Sequence, residues 1–245
     1  MSGAYRRSVL AGLMSVVLIA PTAAQDSPGS GDPMGYGAAQ AGLIWLDLDE
    51  LNASLTAAGL PALDASVPAW GGSGYGIVGK FHFGAVGHGG LDPAAVVGSR
   101  RASLGGGYGI ARVRYEALAL GGLRVYPAVG VGGGAMTLEI AELDTPSFDD
   151  VLADPSRSSS LSTGGFIVLN AGLGIDYRFQ VQQRSDGGGW GFVLGVEGGY
   201  LYSPGDTSWE LDGINEVMGG PDLGIRGFYV WFSIGGWGRE GERPS

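Results

Sequence analysis

Ile167-Val168-Leu169-Asn170-Ala171-Gly172-Leu173-Gly174-Ile175-Asp176-Tyr177-Arg178-Phe179-Gln180-Val181-Gln182 alternates along its whole length. Its odd positions are all apolar, and its even positions after Val168 are small or polar. Successive side chains of a β-strand point to opposite faces, so this pattern makes one continuous apolar face. That face is longer than the usual globular strand of about five or six residues provides. The pattern returns from Trp190 to Ser203, where Trp190, Phe192, Leu194, Val196, Gly198, Tyr200 and Tyr202 share a face. Aromatics stand at both ends of it with aliphatics between, the distribution that the two membrane–water interfaces favour in a barrel wall. Arg184–Gly189 reads as the hairpin turn joining the two strands.

Outward from this pair, the alternation is shorter but consistent. Ala111, Val113, Tyr115, Ala117 and Ala119 oppose Arg112, Arg114, Glu116 and Leu118. Leu123, Val125, Pro127, Val129 and Val131 oppose Arg124, Tyr126, Ala128 and Gly130. The apolar set then changes phase to Met136, Leu138 and Ile140, and Gly132-Gly133-Gly134 at the change predicts a β-bulge. Ile77 to Gly87 reads as one strand, with Lys80 and His82 on its polar side. In the last strand Phe228, Val230, Phe232 and Ile234 oppose Tyr229, Trp231 and Ser233. Residues 144–162 and 204–222 are long loops, whereas 119–122 and 184–189 are short. Short turns at one end and long loops at the other define an up-and-down barrel. Counting back from the last strand gives eight strands, two of them before residue 73, where patterning reveals Tyr36–Leu46 alone. Between them Asp47 and Glu50 have capping-box spacing, Leu48, Leu51, Leu55 and Ala58 recur at helical intervals, and Gly59 can end the turn. The fold expected is therefore all-β, an antiparallel up-and-down transmembrane β-barrel of eight strands with one short helix in an early loop.

Arg6 and Arg7, the apolar run Val9–Ile19 and the small residues Thr22-Ala23-Ala24 read as a signal peptide over 1–24. The apolar run is too short for a membrane helix, which needs about 20 residues. Residues 25–34 read as a flexible leader, 35–238 as the barrel and 239–245 as a polar C-terminal tail. The chain contains 49 glycines without collagen spacing and no cysteine, which excludes a disulfide framework and thiol chemistry. Removing 1–24 leaves 12 basic residues against 24 acidic ones, a balance that argues against nucleic acid as a partner.

These patterns resemble the small bacterial outer-membrane barrels of the OmpA/OmpX kind over roughly residues 35–238. Gly227-Phe228-Tyr229-Val230-Trp231-Phe232 is similar to the terminal signal by which such proteins are recognised for assembly, with Ile225 where that signal prefers a polar residue. The resemblance implies insertion in the cell outer membrane, with lipid and the barrel-assembly machinery as partners.

With the apolar faces outward, Lys80, His82, Arg112, Arg114, Glu116, Arg124, Asp176, Arg178 and Glu197 are expected in the lumen. An eight-stranded barrel is just wide enough for side chains to fill, so these charges should pair as a packed network. Gly172, Gly174, Gly191 and Gly195 on the same side leave room for water and for an alternative, a narrow polar conduit. His88, with Ser99 or Ser103 beyond it, is the one arrangement from which a lipid-modifying enzyme could be built. Neither His82 nor His88 has metal-ligand spacing, and Asp144, Asp149, Asp150 and Asp154 lack that of a calcium loop. The expectation is a non-enzymatic, structural or surface-interaction protein needing no cofactor.

Overall fold

The computed structural model describes residues 35–91, 94–143, 158–185, 187–205, 207–211 and 215–239. The expected signal peptide, leader and most of the tail, and the acidic positions Asp144–Asp154, lie outside them. Eight long strands form the wall: β1 Gly35–Leu46, β2 Ser66–Val78, β3 Phe81–Leu91, β4 Arg100–Tyr115, β5 Leu123–Glu142, β6 Phe166–Gln183, β7 Gly189–Tyr202 and β8 Gly227–Arg239. Each pairs antiparallel with the next, and β8 pairs back onto β1 from Leu46↔Gly227 to Gly35↔Gly238, closing the barrel. Closure satisfies every wall strand on both sides, so no long edge is left. Ser158–Thr163, Trp209–Leu211 and Asn215–Val217 extend the sheet above β5 at the long-loop end.

Connections at one end are short. Gly79 and Lys80 alone join β2 to β3, Gly79 taking the positive φ of 60° that such turns need. Leu118–Leu120 folds back on Leu123–Val125 around Gly121, and Arg184–Gly188 closes the β6–β7 hairpin. The other end carries the long connections. The strand expected over Ile77–Gly87 is thus two strands, and Lys80 sits exposed in the turn instead of in the lumen. Ile77, paired with His82, faces inward, and Val78, paired with Phe81, faces outward.

The second early strand is β2. Its outward positions include Pro68, Gly72, Gly74 and Gly76, and its inward ones Ala69, Gly71 and Ser73, so its faces differ little in polarity. The bulge expected at Gly132–Gly134 is absent: β5 keeps one register against β4 from Ala128 to Glu142 and one against β6 from Leu123 to Gly134. Tyr126, Ala128, Met136 and Leu138 are all buried on the same inward face. What changes along β5 is the lumen, which is charged towards the short turns and apolar towards the long loops. A register shift does occur at Trp190/Gly191, leaving Val181 of β6 unpaired. It turns Gln182 outward, where its Oε1 accepts the Trp190 indole N–H at 3.0 Å.

The helix α1 spans Asp49–Ala57 and shuts the long-loop end. Leu48 is its N-cap and no side-chain cap forms; the Asp47 carboxylate stands 3.5 Å from the Asp49 N–H. Packing overrides the expected capping box because Leu48 is itself drawn into the core, with Leu51 and Leu55. Gly59, at φ 72°, ends the helix as expected. Asn52 ties the return strand down, donating to Leu63 O at 3.0 Å and accepting from Leu63 N at 2.8 Å. These leucines join Leu104, Met136, Leu138, Leu223 and Ile225 in one apolar layer across the mouth.

Candidate functional site in the lumen

Alternation in β4, β6, β7 and β8 brings Arg112, Arg114, Asp176, Glu197 and Tyr229 to the centre of the barrel, all buried. Glu197 is the hub. Its Oε1 accepts from Arg112 Nη2 at 2.5 Å and from the Tyr229 hydroxyl at 2.9 Å, and its Oε2 accepts from Arg114 Nη2 at 3.0 Å. Arg114 Nη1 lies 3.7 Å from Asp176 Oδ2, and the Tyr126 hydroxyl donates to Asp176 Oδ1 at 3.1 Å. Asn170 Nδ2 donates to the Tyr229 oxygen at 3.0 Å. The quartet of two guanidiniums and two carboxylates is neutral, as charges removed from water must be. The Arg114 guanidinium also lies over the rings of Tyr75 and Tyr126, 4.0 and 4.4 Å from their centroids.

Inward glycines make this packing possible. A Cβ on Gly174 would strike the Tyr126 ring, one on Gly172 or Gly199 the Tyr229 hydroxyl, and one on Gly195 the Asp176 carboxylate. Gly191 likewise accommodates the Trp237 indole. The space expected for water beside Gly172, Gly174, Gly191 and Gly195 is therefore occupied by side chains.

A second layer lies nearer the short turns. Glu116 Oε2 stands 3.1 Å from Arg124 Nε, 3.8 Å from Arg178 Nη2 and 3.8 Å from His82 Nε2. Arg124 also donates through Nη1 to the carbonyls of Gly121 and Leu123, which fixes it at the turn. Eight of the nine charged or titratable residues expected in the lumen are thus assembled there, Lys80 being the exception.

His88 is stacked on Trp231, with centroids 4.0 Å apart and planes 1° from parallel, and its Nε2 meets Gln40 Oε1 at 3.1 Å. Ser103 takes an outward position on β4 and Ser99 lies in the preceding turn, so the structure does not bring the His88–serine pairing together. Above His88 a cavity of about 30 Å³ is lined by Leu46, Leu104, Met136 and Ile225. No group of three or more candidate metal ligands occurs among the described residues. Patterning alone placed the charges; it did not single out Tyr126, Tyr229, Asn170 or Gln40, whose role depends on which charge each one faces. Their inward parity was the available signal.

No family model matches the chain, and no curated protein does either. Among solved structures it is similar to Ail, the attachment invasion locus protein of Yersinia pestis, at 12% identity and TM-score 0.39, over 84% of this chain and 95% of that one. It is also similar to Neisserial surface protein A, at 11% identity and TM-score 0.39, over 86% and 98%. The outer membrane protease OmpT from Escherichia coli matches at 10% identity and TM-score 0.34, over 87% and 98%. The closed eight-stranded antiparallel barrel of this chain rests on its own strand pairing, described above.

Proposed function

We propose that the chain is an integral outer-membrane β-barrel, exported by its N-terminal signal and inserted by the barrel-assembly machinery. Its sealed lumen is a rigid scaffold, and its role is structural or surface-interacting without enzymatic activity. The observation that carries the reading is the outer wall. Phe192, Leu194, Val196, Leu173, Ile175, Phe228, Phe232 and Ile234 all face outward and exposed, a surface that water would not tolerate on a monomer.

Two aromatic girdles bound that wall. Phe81, Tyr115, Tyr177, Phe179, Trp190 and Phe192 ring the short-turn end, and Trp45, Trp70, Tyr200, Tyr202 and Phe228 the long-loop end. On β7 the girdle pairs are centred near residues 191 and 201. At about 3.3 Å per residue and a strand tilt of roughly 40°, their separation is about 25 Å, the height of the apolar band in such barrels. Closure of the sheet is what permits strands to cross lipid at all.

The apolar layer under α1 and the neutral quartet beneath it favour a sealed lumen over a conduit. Fractionation of cells expressing the full chain, with electrophoresis of boiled and unboiled membranes, tests the reading. Outer-membrane recovery with a heat-dependent mobility shift is expected, with no conductance steps in planar bilayers. Recovery in the soluble periplasmic fraction would overturn the membrane assignment, and stable conductance steps would overturn the sealed scaffold.

A further inference from the structure

We infer that the cavity above His88 binds a small alcohol, whose hydroxyl donates to His88 Nδ1 and whose alkyl part fills the apolar space below the long-loop end. A run of paired glycines makes the room. Gly89 faces Gly107 and Gly90 faces Gly106 across β3 and β4, and Gly105 follows beside Leu91. These glycines line the space with Cα hydrogens, since their backbone groups are engaged in the sheet on both sides. Ile44, Leu46, Val67, Leu104, Met136 and Ile225 complete a wall that is almost wholly hydrocarbon.

His88 interrupts that wall. It is 5% exposed and lines the same space, and its Nδ1 is buried with no hydrogen-bond partner among the described residues. Its Nε2 meets the amide oxygen of Gln40, which can only accept, so Nε2 carries the hydrogen and Nδ1 presents a bare lone pair. Stacking on Trp231 and contact with Tyr108 hold the ring in that orientation. A buried acceptor without a donor is costly, so the favoured occupant brings an O–H group. Water is a poor one, because it needs about two to four polar partners and this wall offers one unpaired acceptor. A hydrocarbon leaves the lone pair unmet, and an anion is repelled by it. A volume of about 30 Å³ is about two to three times what one water needs, which selects a linear alcohol of about three or four heavy atoms. This site goes beyond the scaffold role and does not rest on membrane insertion: its failure would leave the fractionation result untouched, and the reverse holds too.

The chain has two histidines, so nitrogen-15 labelling of histidine reports on this site with His82 as an internal reference. The full chain, held in lipid nanodiscs, is titrated with 1-propanol and separately with methyl ethyl ether, an isomer with no O–H. 1-Propanol is expected to shift the His88 Nδ1 resonance saturably at about millimolar concentration, the range open to so few atoms, while the ether leaves it in place. Val67→Ile puts one more methylene into the same space and should weaken the alcohol about tenfold or more. The titration of the unaltered chain decides the matter even where that variant folds poorly. The absence of a saturable shift, a shift that His82 shares equally, one that the ether produces equally, or unchanged alcohol affinity in folded Val67→Ile would overturn the inference.

Discussion

Glu197→Gln isolates the centre of the barrel with a single atom changed. The carboxylate takes charge-assisted bonds from Arg112 and Arg114 and a third from Tyr229. Glutamine preserves the shape and keeps one acceptor, but turns an N–H₂ group towards a guanidinium that can only donate. Two buried cations would then share Asp176, which lies 3.7 Å from Arg114 and has no ion pair to Arg112. Removing one partner from a buried pair destabilises by about 3–5 kcal/mol, the uncompensated charge dominating. The assay is urea unfolding of the barrel refolded into vesicles, followed by tryptophan fluorescence and by the mobility shift. A control distinguishes charge from packing: Arg112→Met with Glu197→Met removes one charge of each sign, leaving Arg114 with Asp176. Because a well-packed apolar replacement of a buried pair is nearly neutral, this double variant should recover most of the loss, to within about 1–2 kcal/mol of the unaltered barrel. A loss below about 1 kcal/mol for Glu197→Gln would refute the reasoning, since that is the range of a solvated surface pair.

The remaining predictions concern other layers of the molecule. Gly174→Ala should destabilise the barrel by about 2 kcal/mol or more through overpacking against Tyr126, whereas Gly109→Ala, where an added Cβ has open space, should be nearly neutral; mobility-shift midpoints compare them. Leu51→Asp with Leu55→Asp should weaken the seal by several kcal/mol and let water into the upper lumen, read as hydrogen exchange of the inward positions of β4 and β5. At the long-loop end burial opposes the charged form of Asp222, but hydrogen bonds from Arg226 and Thr207 outweigh it and hold the carboxyl below its usual range. A depressed folded pKa means the contribution is complete above the unfolded value and is lost as pH falls through the folded one. Proteolysis of the loop should therefore increase as pH drops below about 4, and Asp222→Asn should abolish that dependence.

The wall was legible because lipid outside and a filled lumen inside impose opposite demands at alternate residues. β6 and β7 carry both demands at full strength, and their facing is as the alternation reads up to the register shift that turns Gln182 outward. β2 was concealed for a physical reason: Gly72, Gly74 and Gly76 outward against Ala69, Gly71 and Ser73 inward give no contrast to read. The turn at Gly79–Lys80 was hidden by the same strand, whose inward Ile77 mimics the outward apolar set of β3. The charged residues of the site were legible for all but Lys80, because a charge on the lumenal parity of a lipid-facing strand has one place to go. Which carboxylate each arginine meets was not, since that depends on strand stagger around the barrel and on the rings that inward glycines admit.

The missing bulge in β5 shows how a change of environment imitates a change of register. Along that strand the apolar residues move from the outward set Val125, Val129 and Val131 to the inward set Met136 and Leu138, while the pairing never shifts. A period-2 reading assumes that each face keeps one solvent along its length. This lumen does not: it is ionic from Arg124 to Arg112 and apolar from Val168 to Leu138. Meanwhile the outward face of β5 leaves the apolar band, reaching Glu139 beyond Gly133 and Ala135. Both faces invert at one height, so an uninterrupted strand carries the signature of an inserted residue. The inversion also explains why the neutral quartet lies where it does. Arginines deep in the lumen are shielded from the long-loop side by leucines, so they need carboxylates buried beside them, and Glu197 and Asp176 supply these. The position of a charge along the barrel axis, and not its mere inward parity, thus decides how completely its partners must be buried with it.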